Sequence, residues 1–417
     1  MNNHSDVNKG SKRVTRWVAA VLTVCFLGLV FAAFGGMMLH DGSDIVWSAR
    51  RLTALEPYLP EHWNRFDLLQ ARISSFTAKI AEVMWKKTEM GYVNSAFQYA
   101  LGKRVVNTGP SNMIRLNTGH LYDLMAYKDL RPNADGIVAL KDTVLKDIPF
   151  LFVYEHPTLY DPEAMMPADY APLDHSAEMA EEALAALRAG GVEVMDSREV
   201  LNGCGVPLNE LLMFTDQHWS TRAAIAMAQA IAGKVNAMTG ANLDPGLLDM
   251  DRFDTVVHEK LFLGKYGQRL GARRQTPDDI VEYDPKYPTH LVRDTKRVTS
   301  LEHEEGPFSQ VALREERLLP DPGKTYNLLA YTYYGQVESY NNFVNASAPD
   351  CTILLLKDSY SAPVGTFLSL LARNVVTVAL RRAVAPLETW IEKYRPDVVV
   401  MAYSLQMLRD DEYEFGA

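Results

Sequence analysis

CTILLLKDSYSAPVGTFLSLL, Cys351 to Leu371, decides how the rest of this 417-residue chain is read. Thr352 to Leu356 form a nearly uninterrupted aliphatic run, the mark of a parallel strand buried on both faces. Lys357-Asp358-Ser359 ends the run with three polar residues. Ser361 and Pro363 then suit a helix cap and first turn, and apolar helical spacing continues through Leu371. A serine so placed stands at the carboxyl edge of a sheet, beside the positive end of a helix. Open α/β sheets bind ligands at that edge, and oxyanions gain from that dipole. Ser359 is therefore a candidate nucleophile, and a solvated serine in a strand-to-helix turn is the plainer alternative.

A second stretch, FTDQHWS from Phe214 to Ser220, changes that balance. A serine is a weak nucleophile until a base takes its proton, and a histidine base needs a carboxylate to fix its tautomer and orientation. Asp216 and His218 stand at i and i+2, so in extended chain both side chains leave from one face. Ser220 or Thr221 then caps a helical run through Met238, which anchors the loop at a rigid helix start.

These motifs carry a family resemblance. An Asp-x-His-Trp motif upstream of a strand-ending Asp-Ser-aromatic motif resembles the DHHW proteins. It is also similar to the alginate O-acetyltransferase branch of the SGNH hydrolase-like superfamily, in which Asp and His precede the Ser. Three further segments fit more loosely: FVYEHPTLYDPEAMMP (Phe152 to Pro167), FLGKYGQRLG (Phe262 to Gly271) and RPDVVVMAYS (Arg395 to Ser404). The likeness covers roughly residues 90 to 410, with Lys357 standing where the family often has glycine.

Elsewhere the chain reads as α/β. Ile148 to Tyr154 is strand-like, His175 to Arg188 helical, and Val192 to Met195 a short strand, a spacing that implies a right-handed parallel crossover. Gly240 to Asn345 is polar and turn-rich, and reads as a part-β insertion of about 240–345 that walls the cleft. After the Ser359 unit come a strand (Asn374 to Leu380), a helix (Pro386 to Tyr394) and a last strand (Asp397 to Ala402). The expected fold is a doubly wound parallel sheet over residues 91–417.

The amino-terminal region reads differently. Residues 1–16 are polar and carry Lys9, Lys12, Arg13 and Arg16 against Asp6. Trp17 to Leu39 holds no charge and is long enough to span a bilayer core of about 30 Å. Basic residues before it predict a cytoplasmic amino terminus, a single-pass anchor and an extracytoplasmic body. A cleaved signal peptide is the rival reading, disfavoured by the length of the apolar run. Residues 40–90 read as juxtamembrane helix.

Beyond residue 40 the body holds 38 Lys+Arg against 51 Asp+Glu, a net of −13. That balance argues against a nucleic-acid partner. Cys204 and Cys351 fall in this body, where an oxidising exterior permits one bridge, although isolated cysteines are more often buried thiols. The histidines and cysteines show no metal-ligand spacing, and no metal or cofactor is expected.

The expected chemistry is serine acyl transfer: Ser359 attacks an ester, His218 is general base and then acid, and Asp216 orients it. Oxyanion donors are sought in the N–H of Ser359 or Tyr360, an N–H near Gly264 to Gly267, and the amide of Asn341 or Asn342. The resemblance implies a glycine and an asparagine in such roles, an acyl donor with a cell-surface polysaccharide as acceptor of acetyl groups, and a membrane O-acyltransferase as partner. The triad alone does not separate a transferase from a carbohydrate esterase. The aromatic run YTYYGQVESY (Tyr331 to Tyr340) offers faces for sugar stacking or ordinary core packing. From a different class, a non-catalytic polysaccharide-binding scaffold with the same fold stays open because of Lys357.

Overall fold

The computed structural model describes residues 97–409, apart from 99, 102–103, 108–111, 159–160, 271–274, 297–300, 336–337 and 383–384. The expected tail, membrane anchor and juxtamembrane helices (1–16, 17–39 and 40–90) lie outside the described residues. Among those described, no helix is long and apolar enough to cross a membrane.

A small antiparallel sheet comes first: β1 (Val105–Asn107), β2 (Asn112–Arg115) and β3 (Leu121–Asp123). β4 (Phe150–Glu155) and β5 (Glu193–Asp196) open the main sheet. A separate hairpin follows, β6 (Phe253–Phe262) with β7 (Asp278–Pro285). Then come β8 (Leu291–Lys296), β9 (Leu301–Gly306), β10 (Tyr340–Val344), β11 (Thr352–Lys357), β12 (Asn374–Val378) and β13 (Val398–Ser404).

The main sheet has eight strands in the order β5-β4-β13-β11-β12-β10-β8-β9. Its first five are mutually parallel. β10, β8 and β9 extend it antiparallel. The expectation of a doubly wound parallel sheet thus holds for five strands and needs correcting for three. Within residues 240–345, β6 and β7 form their own two-stranded sheet, whereas β8, β9 and β10 belong to the main one. Their sequences, LVRDTK, LEHEEG and YNNFV, are too polar to announce a shared sheet. Yet β10 pairs along all of β12 and covers what would otherwise be an open edge. β9, the new edge, alternates in exposure and carries three glutamates, which discourages further pairing.

The centre follows directly from composition. β4 and β13 are buried along their whole length, and β11 along all but its first residue, as aliphatic strands covered on both faces must be. Truncating a leucine there, such as Leu355, costs about 2–5 kcal/mol. From β4 through the helix Ser176–Ala189 to β5, the chain moves toward one edge. From β11 through Ala362–Leu368 to β12, it moves toward the other. Right-handed crossovers then put these two helices on opposite faces. Strand direction of travel therefore reverses around β13 and β11, and a ligand crevice belongs at their carboxyl ends.

Local details sharpen the reading of the opening stretch. The helix after β11 ends at Leu368 rather than running to Leu371. Ser361 does not cap it through its side chain, because its hydroxyl donates to the Ala402 carbonyl instead. Gly365 lets this helix sit on the sheet: a Cβ there would lie 2.5 Å from Thr377 Cγ2 and 3.0 Å from Leu355 Cδ2. Cys204 and Cys351 are free thiols, and Cys351 is buried.

Candidate active site

Two loops meet at the carboxyl edge of the sheet. The first, Met213 to His218, is closed at its base by the Met213 N–H donating to the His218 carbonyl and by a bridge between Leu212 and Trp219. Ser220 caps the helix Thr221–Thr239, its Oγ accepting from the Ala223 N–H. The second loop is the turn after β11, which carries Ser359. Trp219 ties the two together, its indole N–H donating to the Tyr360 carbonyl at 2.9 Å.

At this junction His218 Nε2 lies 2.8 Å from Ser359 Oγ, and His218 Nδ1 lies 2.5 Å from Asp216 Oδ1. A hydrogen-bonded relay so formed runs from carboxylate through imidazole to hydroxyl across 141 positions of sequence. Asp216 is fully buried. Burial works against its charge, yet His218 and the N–H groups of Lys265 and His218 outweigh it and hold its carboxyl below the ordinary range. An ionised carboxylate there fixes Nδ1 as the protonated ring nitrogen and leaves Nε2 to accept from Ser359.

The Asp216 loop is pinned from outside by a residue that pattern reading missed. Asp278, at the start of β7, accepts from the backbone N–H of Phe214 and of Thr215 and from the Thr215 hydroxyl. Burial pushes its carboxyl up to about 6. No motif marks Asp278, since its role depends on a hairpin folding back 63 residues later.

The three expected oxyanion residues need correcting. The Tyr360 N–H is taken by Asp358 Oδ1 at 2.7 Å, so it is not aimed at a substrate oxygen. The Gly264 N–H is taken by Thr215 Oγ1 at 2.8 Å. Gly264 serves instead as a contact surface: a Cβ there would fall 2.4 Å from Asp216 Cβ and 2.5 Å from the Thr215 carbonyl. Asn342 lies within β10, opposite Val376, two positions short of the carboxyl end of β12 and away from the cavity. Asn341 donates to Thr377 on the other face of the strand.

A cavity of about 340 Å³ opens over Ser359 and His218. Lys265, Gln268, Tyr331, Lys357 and Arg381 supply much of its polar wall. Tyr331 stacks on the His218 ring, with centroids 4.5 Å apart at 20°. Of the aromatic run Tyr331 to Tyr340, Tyr333 and Tyr334 are core residues and Tyr331 is the one on this cavity. Arg381 gave no sequence signal, whereas Lys265 and Gln268 fall inside the segment FLGKYGQRLG.

Residues 158–279 match the family described as SGNH hydrolase-like domain, acetyltransferase AlgX. In structure, the chain is similar to a DHHW family protein from Eubacterium siraeum, with 15% identity over 74% of this chain and 95% of that one, and a TM-score of 0.55. It is similar as well to Bacillus cereus PatB1, with 15% identity over 75% of this chain and 100% of that one, and a TM-score of 0.59. No curated protein matches in sequence. At such identities the solved structures speak for the fold, and the matched segment spans the loop that carries Asp216 and His218. Residues 158–279 are thus similar to the SGNH hydrolase-like domain described for the acetyltransferase AlgX, and the chain has a mixed, parallel-rich α/β fold.

Proposed function

We propose that this protein is a serine acyl-transfer enzyme that moves acetyl groups onto a cell-surface polysaccharide. The observation that carries the reading is the contact of His218 Nε2 with Ser359 Oγ, backed by the ionised Asp216 on the far side of the ring. Ser359 Oγ attacks the ester carbonyl while its proton passes to His218 Nε2. The tetrahedral adduct collapses, the leaving oxygen takes that proton, and the acetyl group stays on Ser359. A sugar hydroxyl then gives its proton to His218 and attacks the acetyl carbonyl, and as the adduct collapses His218 returns that proton to the departing Ser359 Oγ. Asp216 stabilises the imidazolium in both halves.

The match to a family named for an acetyltransferase supports acetyl as the acyl group. Bacillus cereus PatB1, which shares the fold, is known with a sulfonyl adduct. Such an adduct is what an activated hydroxyl would form. Tyr331, Gln268 and the rest of the polar wall of the cavity suit a carbohydrate acceptor. The uncharged run Trp17 to Leu39, with basic residues before it, supports an extracytoplasmic, membrane-tethered reading of the domain, and we take a membrane O-acyltransferase as the source of the acyl group.

Acetyl transfer from an activated ester to an oligosaccharide acceptor tests the proposal. Wild-type protein should yield acetylated sugar, and Ser359→Ala should yield none. Release of free acetate alone would make it an esterase, and no turnover at all would favour the scaffold.

A further inference from the structure

Three strands of the sheet end together beneath Ser359. Glu155 is the last residue of β4 and pairs with Ser404, the last of β13. Lys357, the last of β11, pairs with Ala402 of β13. Asp358 then turns back over these ends, and both of its oxygens are engaged. Oδ1 accepts from the Tyr360 N–H at 2.7 Å, and Oδ2 from the Ser404 N–H at 3.0 Å. Asp358 is thus the clamp that sets the turn on which Ser359 sits.

Glu155 lies against that clamp. It is 0% exposed, and neither carboxyl oxygen receives a hydrogen bond from an N–H or O–H donor. Ser361 lies beside it, but its hydroxyl donates to the Ala402 carbonyl. The group left facing Glu155 is the Asp358 carboxyl itself. Two ionised carboxylates facing each other, one of them fully buried without a donor, would repel. A carboxylic acid beside a carboxylate does the opposite, donating its proton in a short charge-assisted bond.

We propose that Glu155 is a positioning residue for the acyl transfer at Ser359, a neutral carboxylic acid that donates a hydrogen bond to Asp358 and so braces the nucleophile's turn. The inference rests on the acyl-transfer reading of Ser359. Burial, and then Asp358, hold the Glu155 carboxyl well above the ordinary range, which agrees with a retained proton. Asp358 and the buried phenol of Tyr360 are the titratable groups facing it from the turn after β11, and β13 contributes Ser404. Lys357, the adjacent cation in sequence, lies on the wall of the substrate cavity.

Bracing of this kind predicts a particular set of kinetics. Glu155→Gln keeps a neutral donor of the same length, and should hold kcat within about threefold of wild type. Glu155→Leu removes the donor at similar volume. It should lower kcat roughly thirtyfold while KM changes less than about twofold, because the defect is in placing the nucleophile and not in binding. In wild type, activity should fall as pH rises through the raised pKa of Glu155 and the carboxyls repel, and Glu155→Gln should lack that loss.

The experiment combines ester turnover against pH for the three proteins, melting curves, and infrared difference spectra at neutral pH. The expected spectrum has a protonated-carboxyl carbonyl band in wild type that is missing from Glu155→Gln. Absence of that band from wild type overturns the proposal even if Glu155→Leu does not fold. Equal damage from Gln and Leu, or full kcat in folded Glu155→Leu, overturns it as well. A wild type that shows the band but never turns over ester brings down the acyl-transfer reading, and the positioning role with it.

Discussion

Two buried groups of charged side chains occupy opposite parts of the sheet and obey opposite rules. In the antiparallel wing, Arg293 is fully buried and pairs with Glu304, which also binds Arg314 at 2.9 Å. Arg314 reaches Glu338 at 3.4 Å. Positive meets negative at each of these contacts, and the pairs tie β8, β9 and the residues around Arg314 together. At the parallel centre, two carboxyls, Glu155 and Asp358, face each other beneath Ser359, and a third, Asp216, is held ionised by His218. Matched charges are what a sheet edge needs. Carboxyls with unequal proton affinities and a paired histidine are what chemistry needs, and they occur where the strand ends converge.

The largest effect should come from breaking the centre. Ser359→Ala or His218→Ala should lower turnover by roughly 10³-fold or more, and Asp216→Ala by somewhat less, because the three act as a unit. Removing the Ser359 hydroxyl should leave stability within about 0.5 kcal/mol by melting curves, since it deletes no core volume.

Breaking the wing should do the reverse. Glu304→Ala strips Arg293 of its counter-charge, and should destabilise by about 3–5 kcal/mol. Turnover per folded molecule should stay at the wild-type level, which denaturant titration and assay of the folded fraction can show together.

Gly264→Ala sits between these extremes. The added methyl would press on Asp216 and the Thr215 carbonyl. It should lower kcat about tenfold to a hundredfold, the range of a displaced catalytic group, with little change in KM. Unchanged kcat in that variant would mean the loop yields freely.

The smallest effect is on the pH dependence of stability. The folded pKa of Glu155 is raised, so above its ordinary value near 4.5 the unfolded chain releases a proton that the folded chain retains. Folding stability from this group is therefore greatest at low pH and declines as pH rises toward the folded pKa, by up to roughly 1.4 kcal/mol per pH unit. Glu155→Gln should flatten that decline, and denaturant titrations between about pH 5 and 7 would show it.

The sequence announced the parts that follow from local rules. β11 was legible as an aliphatic run, and Ser359 as the polar break after it. Asp216 and His218 were legible because two residues suffice to set one face. Asp278 and Glu155 were not, since the first acts from a hairpin 63 residues downstream and the second acts through strand pairing. Residues 240–345 read as part β, but the membership of β8 to β10 in the main sheet was not legible, because polar residues alternate along them while the centre of the sheet is aliphatic. The oxyanion assignments failed for a physical reason: the N–H groups of Gly264 and Tyr360 are already used in holding the loops that present Asp216 and Ser359. The likeness to the DHHW and alginate O-acetyltransferase proteins pointed to the right fold, but it did not carry these details.

The central claim is that His218 activates Ser359 in the folded protein. Phenylmethylsulfonyl fluoride added to the full chain, followed by mass spectrometry of its peptides, measures that activation without a known substrate. The account predicts one sulfonyl adduct per molecule, on Ser359, formed rapidly in wild type and almost lost in a folded His218→Ala variant. An unlabelled Ser359 in folded wild type, or equal labelling with and without His218, would contradict it.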